Sequence, residues 1–132
     1  MKYIIMITIV IGLAISDFLT GIIKAYVNND LSSTKMRRGG LNKIAEVIVM
    51  LTSIGVEYGL AMLGAYYQSE HLAAVSGAVA SGVVFGYIAI MELISIMENY
   101  AEINPDASWA SSIIKRLRNI KQSEETKSEQ ED

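Results

Sequence analysis

Three long apolar stretches, each interrupted by very few charges, dominate the first hundred residues. The plainest is Leu72–Met91, LAAVSGAVASGVVFGYIAIM, twenty consecutive residues without a charge. As a helix rising about 1.5 Å per residue it reaches about 30 Å, the thickness of a bilayer's hydrocarbon core. A buried central helix of a soluble domain has a similar composition, but a chain of 132 residues has too little other sequence to wrap one. The pattern therefore predicts membrane spans over about 3–25, 44–67 and 72–97. Asp17 interrupts the first, Glu46 and Glu57 the second, and Glu92 lies near the end of the third. The expected fold class is all-α: an integral membrane protein with three transmembrane helices in a domain of residues 1–100.

The polar stretches between and after the spans complete this outline. VNNDLSSTKMRRGG, between the first two, is rich in turn formers and predicts a loop with at most one short helical turn. QSEH at 68–71 is a tight connector, which makes spans two and three an antiparallel hairpin. After the third span, Asn104 offers an N-cap and Pro105 a first helical position. Trp109, Ile113, Leu117 and Ile120 then recur at helical spacing, which predicts an amphipathic helix within 101–122. Such a helix lies on the inner leaflet, with Trp109 among the headgroups and Lys115, Arg116 and Arg118 on anionic lipid, or it packs on the protein's own loops. SEETKSEQED, residues 123–132, is too polar to bury anything and reads as an acidic disordered tail.

Charge changes the picture by orienting the spans. Net charge is −3, yet Asn28–Lys43 carries four bases and one acid, including Arg37 and Arg38. The 68–71 connector has no Lys or Arg, and the segment after the third span is basic again. Short basic loops stay in the cytoplasm, so the N-terminus is expected outside and the C-terminus inside. MKYIIMITIVIGLAIS also resembles a secretory signal with a small-x-small site, but apolar sequence resumes directly after Asp17, long enough to remain as a span. Without Cys, no disulfide or thiolate metal site forms, and His71 alone supplies imidazole. G-x-S-x-G, H-E-x-x-H and phosphate-loop motifs are absent, so no enzyme, no cofactor and no nucleic-acid partner is predicted.

The residues that demand explanation are the charges inside the spans. Asp17, Thr20, Gly21 and Lys24 share one helix face. Lys24 can extend its stem to the interface, but Asp17 is too short and lies about two turns deeper. An unpaired carboxylate there costs about 2.5–3.5 kcal/mol on insertion scales, so it needs a proton, a partner helix or a second copy of the chain. Glu46 follows Lys43 by three residues, which suggests a local ion pair; Glu57 is midway along its span, flanked by Gly55 and Gly59. That G-x-x-x-G spacing admits another helix closely. The third span carries two small-residue ladders, one containing Gly77 and Ser81, the other Gly82 and Gly86. Polar and small faces on all three helices point to a homo-oligomer.

DFLTGIIKA (17–25), LSSTKMRRGGLNKIAE (31–46) and ELISIMEN (92–99), in this order, resemble the successive signatures of the phage holin family that includes toxin-release holins of clostridia. The resemblance covers about residues 10–105. It implies a protein that accumulates in the bacterial cytoplasmic membrane, assembles with itself, and opens holes that release an endolysin or a large toxin at a set time. It also gives Met6 in MKYIIM a possible role as a second start, because some holins use paired starts. The intramembrane acids alone suit two other classes: a small ion- or proton-coupled transporter or channel titrating at Glu57 or Asp17, and an antiholin-type regulator.

Overall fold

The computed structural model describes residues 1–78 and 81–130. Five helices follow one another: α1 Lys2–Val27, α2 Ser33–Tyr66, α3 Glu70–Ala78, α4 Ser81–Ile103 and α5 Ser108–Gln130. No strand occurs among the described residues. α1, α2 and the α3–α4 segment Glu70–Ile103 are each long and apolar enough to cross a membrane.

The helix ends have local causes. α1 and α2 both close with a residue in the left-handed region, Asn29 at φ 53° and Gln68 at φ 50°. The amides that follow turn back on the last carbonyls, Asp30 on Ala25 at 2.9 Å and Ser69 on Gly64 at 2.9 Å. This is the cap that lets a helix stop abruptly. Ser32 caps the start of α2 by accepting the Lys35 amide. Helix therefore begins at Ser33, and residues 33–43, expected as a loop, continue α2 by nearly three turns. Polar content misled here: Lys, Met and Arg are good helix formers, and Gly39 and Gly40 give the helix a flank on which the Phe18 ring rests.

The C-terminal region departs from expectation at both of its ends. α4 continues past residue 97 to Ile103, and Asn104 and Pro105 form a turn rather than the start of a helix, with the Ala107 amide on the Asn104 carbonyl at 3.1 Å. Proline has no amide to extend α4, so it ends that helix, and α5 starts only at Ser108. α5 then runs through residues 123–130, which sequence reasoning assigned to a disordered tail; residues 131–132 lie outside the described set.

α1 and α4 run parallel, with α2 antiparallel to both. The buried positions recur at sevens: Val10 and Asp17 on α1, Met50, Glu57 and Gly64 on α2, Ser81 and Ile88, then Glu92 and Asn99, on α4. A seven-residue repeat keeps one seam facing its neighbours over many turns. Val10, Met50 and Ile88 form the apolar centre, with Met6, Val47, Ile54, Val84 and Phe85 around them. The tightest approach joins α2 to α3, where a Cβ on Gly64 would lie 2.9 Å from the Ala73 nitrogen. α5 turns back along α4: Trp109 meets Tyr100 at 5.4 Å between ring centroids, Arg118 pairs with Glu98, and Lys121 lies over the Tyr87 ring. α5 thus packs on α4 rather than on the loops. The apolar side chains that point outward, such as Ile4, Ile15, Ile48 and Val83, form a lipid-compatible exterior.

Candidate functional site: two charged layers inside the bundle

The seven-residue seam carries charge at two heights. The first layer centres on Lys43 of α2. Its ammonium lies 2.7 Å from Asp17 of α1, 2.5 Å from Glu92 of α4 and 3.6 Å from Glu46 one turn along its own helix. Asn99 of α4 completes the layer, donating to the second Asp17 oxygen at 3.1 Å and to the Thr20 hydroxyl at 3.2 Å. Gly21 lies beside that amide: a Cβ there would meet Asn99 Nδ2 at 3.7 Å, an ordinary contact. Asp17 and Glu92 are buried, and the ammonium stands between them. A cavity of about 450 Å³ opens beside the layer, floored by Asp17, Lys43 and Asn99 and edged by Lys24, Lys35 and Glu102. Lys24 pairs with Glu102 at 3.3 Å at the mouth.

The second layer centres on Glu57. It accepts from the Lys2 ammonium at 2.6 Å, the Tyr3 hydroxyl at 3.0 Å, the Ser81 amide at 2.9 Å and the Ser81 hydroxyl. The Glu57 side chain is 8% exposed and that of Lys2 61%, so the base reaches in from the surface while the acid stays in the bundle. Fifteen residues of α1 separate Lys2 from Asp17, about 22 Å of rise. The apolar centre fills that interval. The apolar centre thus stands between the two layers, and charge inside oil is tolerated because Asp17, Glu57 and Glu92 each find donors on other helices.

Several expectations meet the geometry directly. Asp17, Thr20, Gly21 and Lys24 do share a face, and that face looks at α4. Glu46 takes its local contact with Lys43, and Ser81 is fully buried. Other expected packing positions take no part within the protomer. A Cβ on Gly55, Gly59 or Gly86 would meet nothing within 4 Å, and Gly82 is exposed. The close helix contact falls on Gly64 instead, outside the G-x-x-x-G. The surroundings of Gly77 lie outside the described residues. Arg37, Arg38, Lys115 and Arg116 are exposed, while Arg118 is engaged by Glu98.

Sequence reasoning missed the partners. Lys43 was tied to Glu46 alone, and Lys2, Tyr3 and Asn99 were given no role. The signal available was the repeat itself. Tyr3 and Asp17 are two sevens apart, as are Lys43 and Glu57, and Asn99 is one seven beyond Glu92, so each polar residue shares a seam with a charge.

Among the described residues, no group of His, Asp or Glu is arranged to hold a metal ion. Comparison with curated proteins and with solved structures finds no match. Comparison with protein families matches residues 2–122 to the bacteriophage holin family. Three membrane-crossing helices, charged layers on their inner seam and a match over nearly the whole chain agree: the protein is a membrane protein that belongs to the bacteriophage holin family.

Proposed function

We propose that this holin accumulates in the host's cytoplasmic membrane, N-terminus outside and C-terminus in the cytoplasm, and that assemblies of it open holes through which an endolysin or a large toxin leaves the cell. One observation carries the mechanism: Asp17, Glu57 and Glu92 are each answered by a donor from the same chain, on either side of an apolar centre. A single protomer is therefore a sealed, inert unit, and a leak needs several. When copies separate along their seams, Asp17, Glu57 and Glu92 exchange their partners for water, so the same groups that close the protomer favour a hydrated wall.

Two surfaces are free to bring copies and lipid together. The Gly55–Gly59 face has nothing against it in the protomer and suits a second helix from another copy. Arg37, Arg38, Lys115 and Arg116 are exposed and suit the anionic headgroups of the inner leaflet. Trp109, half-exposed at the start of α5, belongs to the same zone.

The test is induced expression of the full chain, alone and with an endolysin, while culture density and a soluble cytoplasmic enzyme in the medium are followed. Abrupt loss of density with escape of the enzyme is expected. Ion leakage without escape of protein would replace this function with a small channel or transporter, and delay of another holin's lysis with a regulator.

A further inference from the structure

Two buried side-chain oxygens stand without a hydrogen-bond partner among the described residues: Oε2 of Glu46 and Oε2 of Glu92. They are not scattered. Both belong to the Lys43 layer, and the two carboxyl groups are within hydrogen-bonding reach of each other. The rest of the layer is accounted for. Asp17 takes Lys43 with one oxygen and Asn99 with the other, and Glu92 takes Lys43 with Oε1. Left over are Oε2 of Glu92 and Oε2 of Glu46, the latter 3.6 Å from the Lys43 ammonium and beyond a hydrogen bond to it. A buried acceptor without a donor is costly, and two carboxylates in one site repel a second charge. The formal count agrees, since Asp17, Glu46 and Glu92 surround a single ammonium.

One proton on either oxygen satisfies both at once, because the protonated acid donates to its neighbour. We propose that Glu46 and Glu92 share one proton, so that the contact between α2 and α4 is a proton-binding site. The groups facing it are Asp17 from α1, Lys43 from α2 and Asn99 from α4 itself. α5 packs on the other side of α4, where Arg118 is taken by Glu98 and Lys121 covers Tyr87. A metal ion suits the place less well, because the Lys43 ammonium already fills the centre. The cavity lined by Asp17 and Lys43 brings solvent up to the layer from the side of Lys24 and Glu102.

Loss of the proton leaves three negative groups around one positive, so the site couples the fold to pH. The unfolded glutamates hold no proton at neutral pH, whereas the folded pair holds one. Stability is therefore fully present below the range in which unfolded glutamates titrate, falls as pH rises above it, and levels off once the folded pair has given up its proton.

The experiment uses the full chain reconstituted in lipid and read by infrared spectroscopy at neutral pH. The wild type is expected to show the carbonyl band of a buried neutral carboxyl group. Glu92→Gln and Glu46→Gln should each abolish it, and Glu57→Gln should leave it. No band in the wild type, survival of the band in both variants, or its loss in Glu57→Gln would overturn the proposal. Should Glu92→Gln not fold, half-exposed Glu46 keeps the test open. Equilibrium unfolding in mixed micelles gives a second readout: the wild-type folding constant should fall by up to about tenfold per pH unit between the range in which unfolded glutamates titrate and that in which the folded pair loses its proton, and level off above it. A profile that is flat in the wild type also overturns the proposal. Neither measurement depends on whether holes form, so the site and the proposed function stand or fall separately.

Discussion

Lys43→Met removes the ammonium that touches both Asp17 and Glu92. Methionine keeps much of the stem's length, so packing is disturbed little and charge a great deal. Two buried acids then lose their shared partner, and Asp17 keeps only the Asn99 amide. Removing one member of a buried ion pair typically costs about 3–5 kcal/mol, or about two to three and a half orders of magnitude in a folding constant. The assay is equilibrium unfolding of the purified chain in mixed micelles, compared with Asp17→Asn and with the double variant. The double variant removes one positive and one negative group, leaving the layer's formal charge unchanged. It should therefore be more stable than Lys43→Met alone, with a coupling energy toward the upper end of the roughly 0.5–3 kcal/mol found for contacting residues. In cells, Lys43→Met should also shift the time of lysis. A Lys43→Met protein as stable as the wild type, or a double variant with no coupling, would refute the idea that this ammonium closes the bundle.

The other layer gives a contrast in size. Glu57→Ala strands the buried Ser81 amide and should cost about 1–3 kcal/mol in the same unfolding assay. Lys2→Met removes a largely exposed base and should cost distinctly less, whereas a chain begun at Met6 loses both Lys2 and Tyr3 and should fall between the two. Met50→Ala opens a hole at the apolar centre and should destabilise by about 2–5 kcal/mol, with faster proton leakage into vesicles as a second measure. Gly64→Val should part α2 from α3 and weaken the protomer, while Gly55→Leu should leave it intact and reduce cross-linking between copies. Equal effects at the two glycines would remove the distinction between inner and outer faces.

The architecture was legible because hydrophobic length is a signal that tertiary context seldom overrides: Leu72–Met91 admits few readings other than a span. The helix limits were harder. Residues 33–43 looked like a loop because polarity was read as a sign of turn, yet the deciding features were the Ser32 cap and the Phe18 ring on Gly39 and Gly40. At the site, Asp17 and Glu57 announced themselves as charges in oil, and their need for partners followed from that alone. Which partners they take depends on how three helices are rotated against one another. Lys43 sits fourteen residues before Glu57 and looked like an interfacial base until the register placed it against Asp17 and Glu92. Gly55 and Gly59 illustrate the reverse: the motif was legible, but which neighbour it serves is not settled by a single chain's own packing.

The α2–α3 hairpin outruns its third companion. α1 begins opposite Glu57, while α2 continues to Tyr66, about 13 Å further. At the opposite end, α5 lies alongside α4 and thickens the protein. Only α2 and α3 therefore continue at one end, while toward the other α5 adds a fourth helix along α4 from Tyr100 back to Tyr87. Copies assembled as proposed would crowd the side of the membrane that holds α5 more than the other, so their packing strains the bilayer toward curvature.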